Sequence, residues 1–297
     1  MGLGLSTLTH IVLCQKPESS VGQIDFIPAF SSEYVDSRSV AVWLPNGYSQ
    51  DKKYKVLYLH DGQNLFDANI TWNHQEWNID EHLQHLIDNH QIEPCIAVGI
   101  WNNGSKRHIE YFPQKPFEML KRSFRDSLLT ATKRNEETPM FAGAIISDNY
   151  LLFLTKELIP YIEKNYSVGH NSKDRLIAGA SMGGLISWYA AVEYPRVFGH
   201  AACFSTHWPG IWPKDDPEQK LFHAFHQYAQ LKKKRNTHWY FDHGTEGLDQ
   251  YYGPYQEKMN GVYAKNKHFK SRIHPGFDHS ENSWSHHFEE AIIHLWK

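Results

Sequence analysis

The chain has 297 residues, with 30 Lys and Arg against 33 Asp and Glu for a formal net charge of −3; this balance argues against nucleic acid or an anionic membrane as partner, since both need an excess of basic charge. Apolar residues are 41% and charged residues 21%, and a chain of this length buries roughly 75% of its unfolded surface, which excludes intrinsic disorder as the main state. Cys14, Cys95 and Cys203 are too few and too scattered for a disulfide framework or a zinc cage, and no run approaches the ~20 apolar residues of a transmembrane segment.

Residues 1–14 are mildly apolar, but no Lys or Arg supplies the positive start of a secretory signal and His10 interrupts the run. Residues 1–20 therefore read either as an N-terminal arm of a cytoplasmic protein or as a targeting remnant of a secreted or periplasmic one. From residue 21 onward, short β-rich runs alternate with longer helical ones. Residues 39–44 and 55–60 read as strands, closed by Pro45-Asn46-Gly47 and Asp61-Gly62. Residues 77–89 carry apolar side chains at helical spacing, and the continuous apolar run 95–100 reads as a strand covered on both faces.

Residues 102–149 break this rhythm with Asn102-Asn103-Gly104, three prolines and the polar patch 133–138, and read as an insertion over the sheet. The pattern then predicts a helix over 149–165 bent near Pro160, strand 175–180, helix 183–194, strand 200–204, helix 218–231, strand 237–241, helix 251–264, strand 269–274 and helix 284–296. Such alternation implies the α/β class, with a mostly parallel sheet and helices on both faces. With no repeat and no linker, residues 21–297 read as a single domain.

The chemistry concentrates at Gly179-Ala180-Ser181-Met182-Gly183, a G-x-S-x-G motif extended by Gly184. A Ser on a sharp strand-to-helix turn needs neighbours without side chains, and its Oγ then stands clear at the top of the sheet. The motif is expected by chance only roughly 0.08 times in a chain of this composition, and the predicted strand and helix on either side are its required context. A nucleophilic Ser needs a base and an orienting carboxylate, which in this architecture follow in the order Ser, acid, His. His279 lies between the last predicted strand and the terminal helix, where a loop can carry an imidazole to Ser181; His274 falls within its strand and His286 within a helix. The loop after strand 237–241 offers Asp242, Glu246 and Asp249. Asp242 at the strand end suits a turn's own hydrogen bonds, and Asp249 suits either the acid or a helix cap; the residues alone do not separate Glu246 from Asp249.

Four blocks carry a family resemblance: residues 58–67, the motif at 179–184, Gly244-Thr245-Glu246 with Asp249, and Asp278-His279-Ser280-Glu281 with Trp284. Over residues 35–297 the sequence resembles the Putative esterase family, which includes enterochelin esterases, S-formylglutathione hydrolase (esterase D), feruloyl and acetyl-xylan esterases and the mycolyltransferase antigens. The resemblance implies an α/β-hydrolase fold, a Ser-acid-His triad, a small-molecule ester substrate, and no metal or other cofactor. The family's commonest acid loop is Gly-Thr-x-Asp; here Gly247 and Leu248 look inserted, which makes Asp249 the better match and Glu246 the alternative. The resemblance also implies an oxyanion hole from the amides of Gln63 and Met182. Met182 suits this physically, because the first amides and the dipole of a helix favour a developing negative charge.

The expected activity is thus ester hydrolysis through an acyl-enzyme, with acyl transfer on the same scaffold, or a non-catalytic binding protein of the same fold, as alternatives. A metal hydrolase built on His82 and His85, or on His60 with Asp61, has no third ligand at zinc spacing. Trp208 and Trp212, after strand 200–204, are the candidate walls of an aryl or sugar ester pocket.

Overall fold

A computed structural model describes residues 15–232 and 236–297; of the segment 1–20 read as an arm or targeting remnant, residues 1–14 lie outside them. Among the described residues eight strands form one sheet: β1 (Gln23–Phe30), β2 (Arg38–Leu44), β3 (Lys55–His60), β4 (Cys95–Ile100), β5 (Arg175–Ala180), β6 (His200–Phe204), β7 (His238–Gly244) and β8 (Phe269–His274). Their spatial order is β1-β2-β4-β3-β5-β6-β7-β8. The β1-β2 and β2-β4 pairs are antiparallel, and all pairs from β4-β3 onward are parallel. Strand β1 was not expected from the sequence; it is an edge strand, with partly exposed residues and Pro28 in its middle, so it carries neither a continuous apolar run nor a clean alternation.

Strands β2, β4, β5 and β6 are buried along their whole length, which is why β4 reads as an unbroken apolar run and the others as apolar runs after a polar start. Side chains still alternate between two cores. Val56 and Tyr58 point to one face, packed with Tyr150, Leu185, Trp188 and Met259, while Leu57 and Leu59 point to the other with Leu83, Phe288 and Leu295.

The helices are α1 (Ile79–Asp88), α2 (Arg107–Tyr111), α3 (Gln114–Glu118), α4 (Arg122–Ala131), α5 (Ser147–Leu152), α6 (Ile159–Asn165), α7 (Met182–Glu193), α8 (Lys220–Lys232), α9 (Gly253–Tyr263) and α10 (Glu281–Trp296). Every residue of α7 from Met182 to Val192 is buried, the condition of a helix that is apolar all round. Residues 153–158, between α5 and α6, form a π-type segment. Pro160 has no N–H to return to the preceding turn, so the single bent helix expected there widens at that point. Residues 102–149, read as an insertion over the sheet, fold into the short helices α2 to α4 and place Ile109, Tyr111, Phe112 and Phe141 in the core on the α7 face.

Candidate active site

Ser181 occupies the turn between β5 and α7 with φ 59° and ψ −121°, a strained backbone that persists only where the surroundings dictate it. The flanking glycines show what dictates it. A Cβ on Gly179 would lie 2.8 Å from Gly183 backbone, and one on Gly184 would lie 3.0 Å from the Phe204 carbonyl oxygen. The Ser181 amide donates to the Phe204 carbonyl (3.0 Å), and the Ser181 carbonyl accepts from the His207 amide (3.1 Å). The Ser181 backbone is thereby clamped to the turn that follows β6.

His279 and Ser181 line one cavity of about 740 Å³. His279 Nδ1 lies 2.6 Å from Asp249 Oδ1, and Asp249 Oδ2 accepts the Ser205 hydroxyl (2.5 Å) and the Gly244 amide (2.7 Å). Asp249 is 1% exposed. Burial pushes its carboxyl up, but the hydrogen bond and charge of His279, with the Ser205 and Gly244 donors, outweigh this and hold it below its ordinary value. An ionised carboxylate only accepts, so Nδ1 carries the ring hydrogen and Nε2 is left as the basic nitrogen.

None of Asp249's acceptor bonds goes to the first turn of α9, so the carboxylate does not act as a helix cap. Glu246 is exposed at the loop tip, where its amide donates to the Phe277 carbonyl at 3.0 Å. Asp242 is the last-but-two residue of β7 rather than a loop residue, and its Oδ1 accepts from the Ser205 amide (3.2 Å). His274 lies in β8 against Asp242, 3.6 Å away, and His286 stacks on Phe277. The loop bearing His279 is tied to the loop bearing Asp249: the Phe277 carbonyl accepts the Thr245 and Glu246 amides, and the Thr245 hydroxyl accepts the Gly276 amide.

Gln63 follows Asp61-Gly62 at the end of β3 and lines the same cavity. Its side-chain oxygen accepts the Asn102 amide (3.3 Å). Asp61 is left-handed (φ 57°), and its carboxylate is gripped by Arg107 through Nε and a terminal nitrogen (2.7 Å each) and by Asn102 Nδ2 (2.7 Å). Burial raises the Asp61 carboxyl, but Arg107 and Asn102 more than offset this and keep it below its usual range. A Cβ on Gly62 would lie 2.6 Å from the Gly99 and Ile100 backbone, so this loop can pack against β4 only with glycine there. Met182, the first residue of α7, presents an amide with no partner inside the helix.

Neither Trp208 nor Trp212 lines the cavity that holds Ser181 and His279. Trp208 is 0% exposed and packs against Trp188, its indole N–H bonded to Gln256 (2.8 Å). Trp212 faces a separate small recess with Pro213 and Tyr255. The aromatic lining comes instead from Trp72, Trp77 and Trp284, and polar groups from Arg107, Arg134 and Glu281. Nothing in residues 71–77 has the regular pattern that would have marked them. Glu281 Oε1 and Oε2 accept from Asn64 (2.9 Å) and Asn73 (2.8 Å).

The pairs considered as metal ligands have protein partners. His82 and His85 both bond Glu289 Oε1 (3.0 Å), His60 Nδ1 meets the Tyr150 hydroxyl (2.8 Å), and Asp61 is held by Arg107. Asp242, His274 and His287 bring three possible ligand atoms within 4.8 Å of one another. The two imidazoles, however, stack face to face at 3.4 Å with an interplanar angle of 10°, so their lone pairs lie in nearly parallel planes and do not converge on one ion.

The strand order, with the Ser181 turn after β5 and the Asp249 and His279 loops after β7 and β8, is that of the α/β-hydrolase fold. The chain belongs to the Putative esterase family, whose match covers residues 31–295. Its fold is shared with an IroE-like serine hydrolase from Shewanella oneidensis (TM-score 0.67, 20% identity, 92% of this chain and 80% of that one) and with the enterobactin esterase FES from Shigella flexneri (TM-score 0.68, 17% identity, 94% and 61%). In sequence it is similar to the uncharacterized protein YbbA of Bacillus subtilis, 29% identical over 61% of each chain. It is also similar to an endo-1,4-beta-xylanase/feruloyl esterase of Xylanibacter ruminicola, 24% identical over 60% of this chain and 21% of that protein. The chain thus spans about three fifths or less of the length of these curated relatives.

Proposed function

We propose that the protein is a serine carboxylic-ester hydrolase in which Ser181 is the nucleophile, His279 the general base and acid, and Asp249 the orienting carboxylate. The observation that carries this reading is the 2.6 Å bond between a buried Asp249 and His279, which lines one cavity together with Ser181. Family membership supports ester hydrolysis as the reaction.

Ser181 Oγ attacks the ester carbonyl as His279 Nε2 takes its proton. The imidazolium that forms is stabilised by Asp249, which stays ionised. The amides of Met182 and Gln63 receive the oxyanion, and each such donor is worth about 3 to 4 kcal/mol of barrier. His279 then delivers the proton to the departing alkoxide, leaving an acyl-Ser181 ester. Water, deprotonated by His279 in turn, releases the acid and restores the hydroxyl.

The relatives named for enterobactin and feruloyl esters, together with Trp72, Trp77 and Trp284 along the cavity, support an ester with an aromatic portion as substrate. The test is labelling with a fluorophosphonate probe and turnover of p-nitrophenyl acetate. Wild type is expected to label and turn over, and Ser181→Ala to lose labelling and up to about 10⁶-fold in kcat. Undiminished labelling of Ser181→Ala would remove the assignment.

A further inference from the structure

Ser205 belongs to no motif in the sequence, yet it stands where four parts of the site meet. It directly follows β6, is 1% exposed and holds a left-handed φ of 40°, a conformation that costs a non-glycine residue free energy and persists where its surroundings impose it. Its amide donates to the Asp242 carbonyl (3.0 Å) and to Asp242 Oδ1 (3.2 Å), which anchors the residue to the end of β7. Its hydroxyl donates to Asp249 Oδ2 at 2.5 Å and accepts the Trp284 indole N–H at 2.9 Å. The Trp284 ring in turn stands edge to face against His279, with centroids 5.0 Å apart and an interplanar angle of 85°. The preceding residue, Phe204, accepts the Ser181 amide.

We infer that Ser205 is a positioning residue of the esterase site, acting on Asp249 and His279 together through one hydroxyl. The donor bond fixes which carboxylate oxygen faces His279: with Oδ2 occupied by Ser205 and Gly244, Oδ1 is the oxygen left for Nδ1. The acceptor bond holds the indole that stands edge to face against the imidazole. Occupation of Oδ2 also draws charge away from Oδ1. The other titratable groups near His279 are Tyr252, whose ring stands edge to face 5.7 Å away, His207 and Asp278, and the bonds of Ser205 go to none of them; loss of the hydroxyl therefore leaves a more basic carboxylate against His279, favours the imidazolium, and moves the acid limb of the rate profile to higher pH. The strained backbone has a separable role, since glycine adopts φ 40° without penalty.

This inference rests on the triad reading above, and its test keeps the two apart. Ser205→Gly relieves the backbone and removes the hydroxyl; Ser205→Cys keeps the volume with a weak donor. Expected are a fall in kcat of about 10- to 100-fold for Ser205→Gly, a smaller fall for Ser205→Cys, little change in KM, and an acid limb displaced upward in the order wild type, Cys, Gly. A Ser205→Gly enzyme with wild-type kcat and an unmoved acid limb overturns the role of Ser205, while loss of fluorophosphonate labelling in Ser181→Ala leaves the triad standing. Labelling retained in Ser181→Ala overturns both.

Discussion

The replacement Asp249→Asn is informative because the hydrogen bonds of the site dictate how the new side chain must turn. Asp249 Oδ2 accepts from the Ser205 hydroxyl and the Gly244 amide, both buried donors. The amide oxygen of Asn must stay with these two, since turning the NH₂ group toward the Gly244 N–H would set donor against donor. The NH₂ group then faces His279 Nδ1 and donates to it. That forces the tautomer in which Nε2 carries the hydrogen, and such an imidazole cannot accept the proton of Ser181. Every buried group keeps a partner, so the melting temperature should change little, whereas kcat should fall by about 10⁴-fold, as in triads where the same tautomer reversal occurs. The assay is p-nitrophenyl acetate turnover alongside thermal unfolding. Glu246→Gln, at an exposed loop tip, should change neither. An active Asp249→Asn, or an inactive and stable Glu246→Gln, would refute the reasoning and move the acid to Glu246.

Three further outcomes are expected. His60, His200 and His207 are 2%, 6% and 8% exposed, and burial pushes each down to about 3; with folded values depressed, stability is present above the unfolded value of about 6.5 and is lost as pH falls from there toward 3. Between pH 7.5 and 5.5 these three histidines should remove about 4 kcal/mol, and a urea midpoint independent of pH across that range would contradict their being neutral in the fold. Arg107→Ala strips the two charge-assisted bonds from Asp61 and should lower stability by about 1.5 to 3 kcal/mol while slowing kcat through the displaced Gln63 amide; unchanged urea midpoint and kcat would show that the ion pair does not hold the loop. Trp72 lines the cavity while 83% exposed, so Trp72→Ala should leave stability within about 0.5 kcal/mol and raise KM for bulky aryl esters about 2- to 12-fold; an unaltered KM would place the substrate elsewhere in the cavity.

Local chemistry was legible from the sequence. Gly179 and Gly184 are needed because backbone atoms would lie 2.8 and 3.0 Å from a Cβ, and Gly183 because the Asp61 carboxylate would lie 3.1 Å from one; that requirement is written into the motif itself. The buried strands announce themselves as apolar runs, which is enough to deduce a parallel sheet and the loops after β5, β7 and β8. The position of His279 follows from that order alone. Other features depend on what lies across the fold. Whether Asp249 or Glu246 meets His279 depends on which carboxylate the acid loop turns inward, and that is decided by Ser205 and Gly244 as donors. Ser205 is 44 residues from Asp249 and 79 from Trp284, separations at which no local pattern carries information. Trp208 and Trp212 show the same limit. An aromatic side chain states that it seeks burial, but only the packing of Trp208 on Trp188, and of Trp72, Trp77 and Trp284 around the opening, decides which ring lines a cavity and which fills the core. Sequence determines backbone periodicity and turn chemistry because these act between near neighbours; the partners of a buried polar group and the walls of a cavity are set by contacts between distant segments, which exist only once the sheet has assembled.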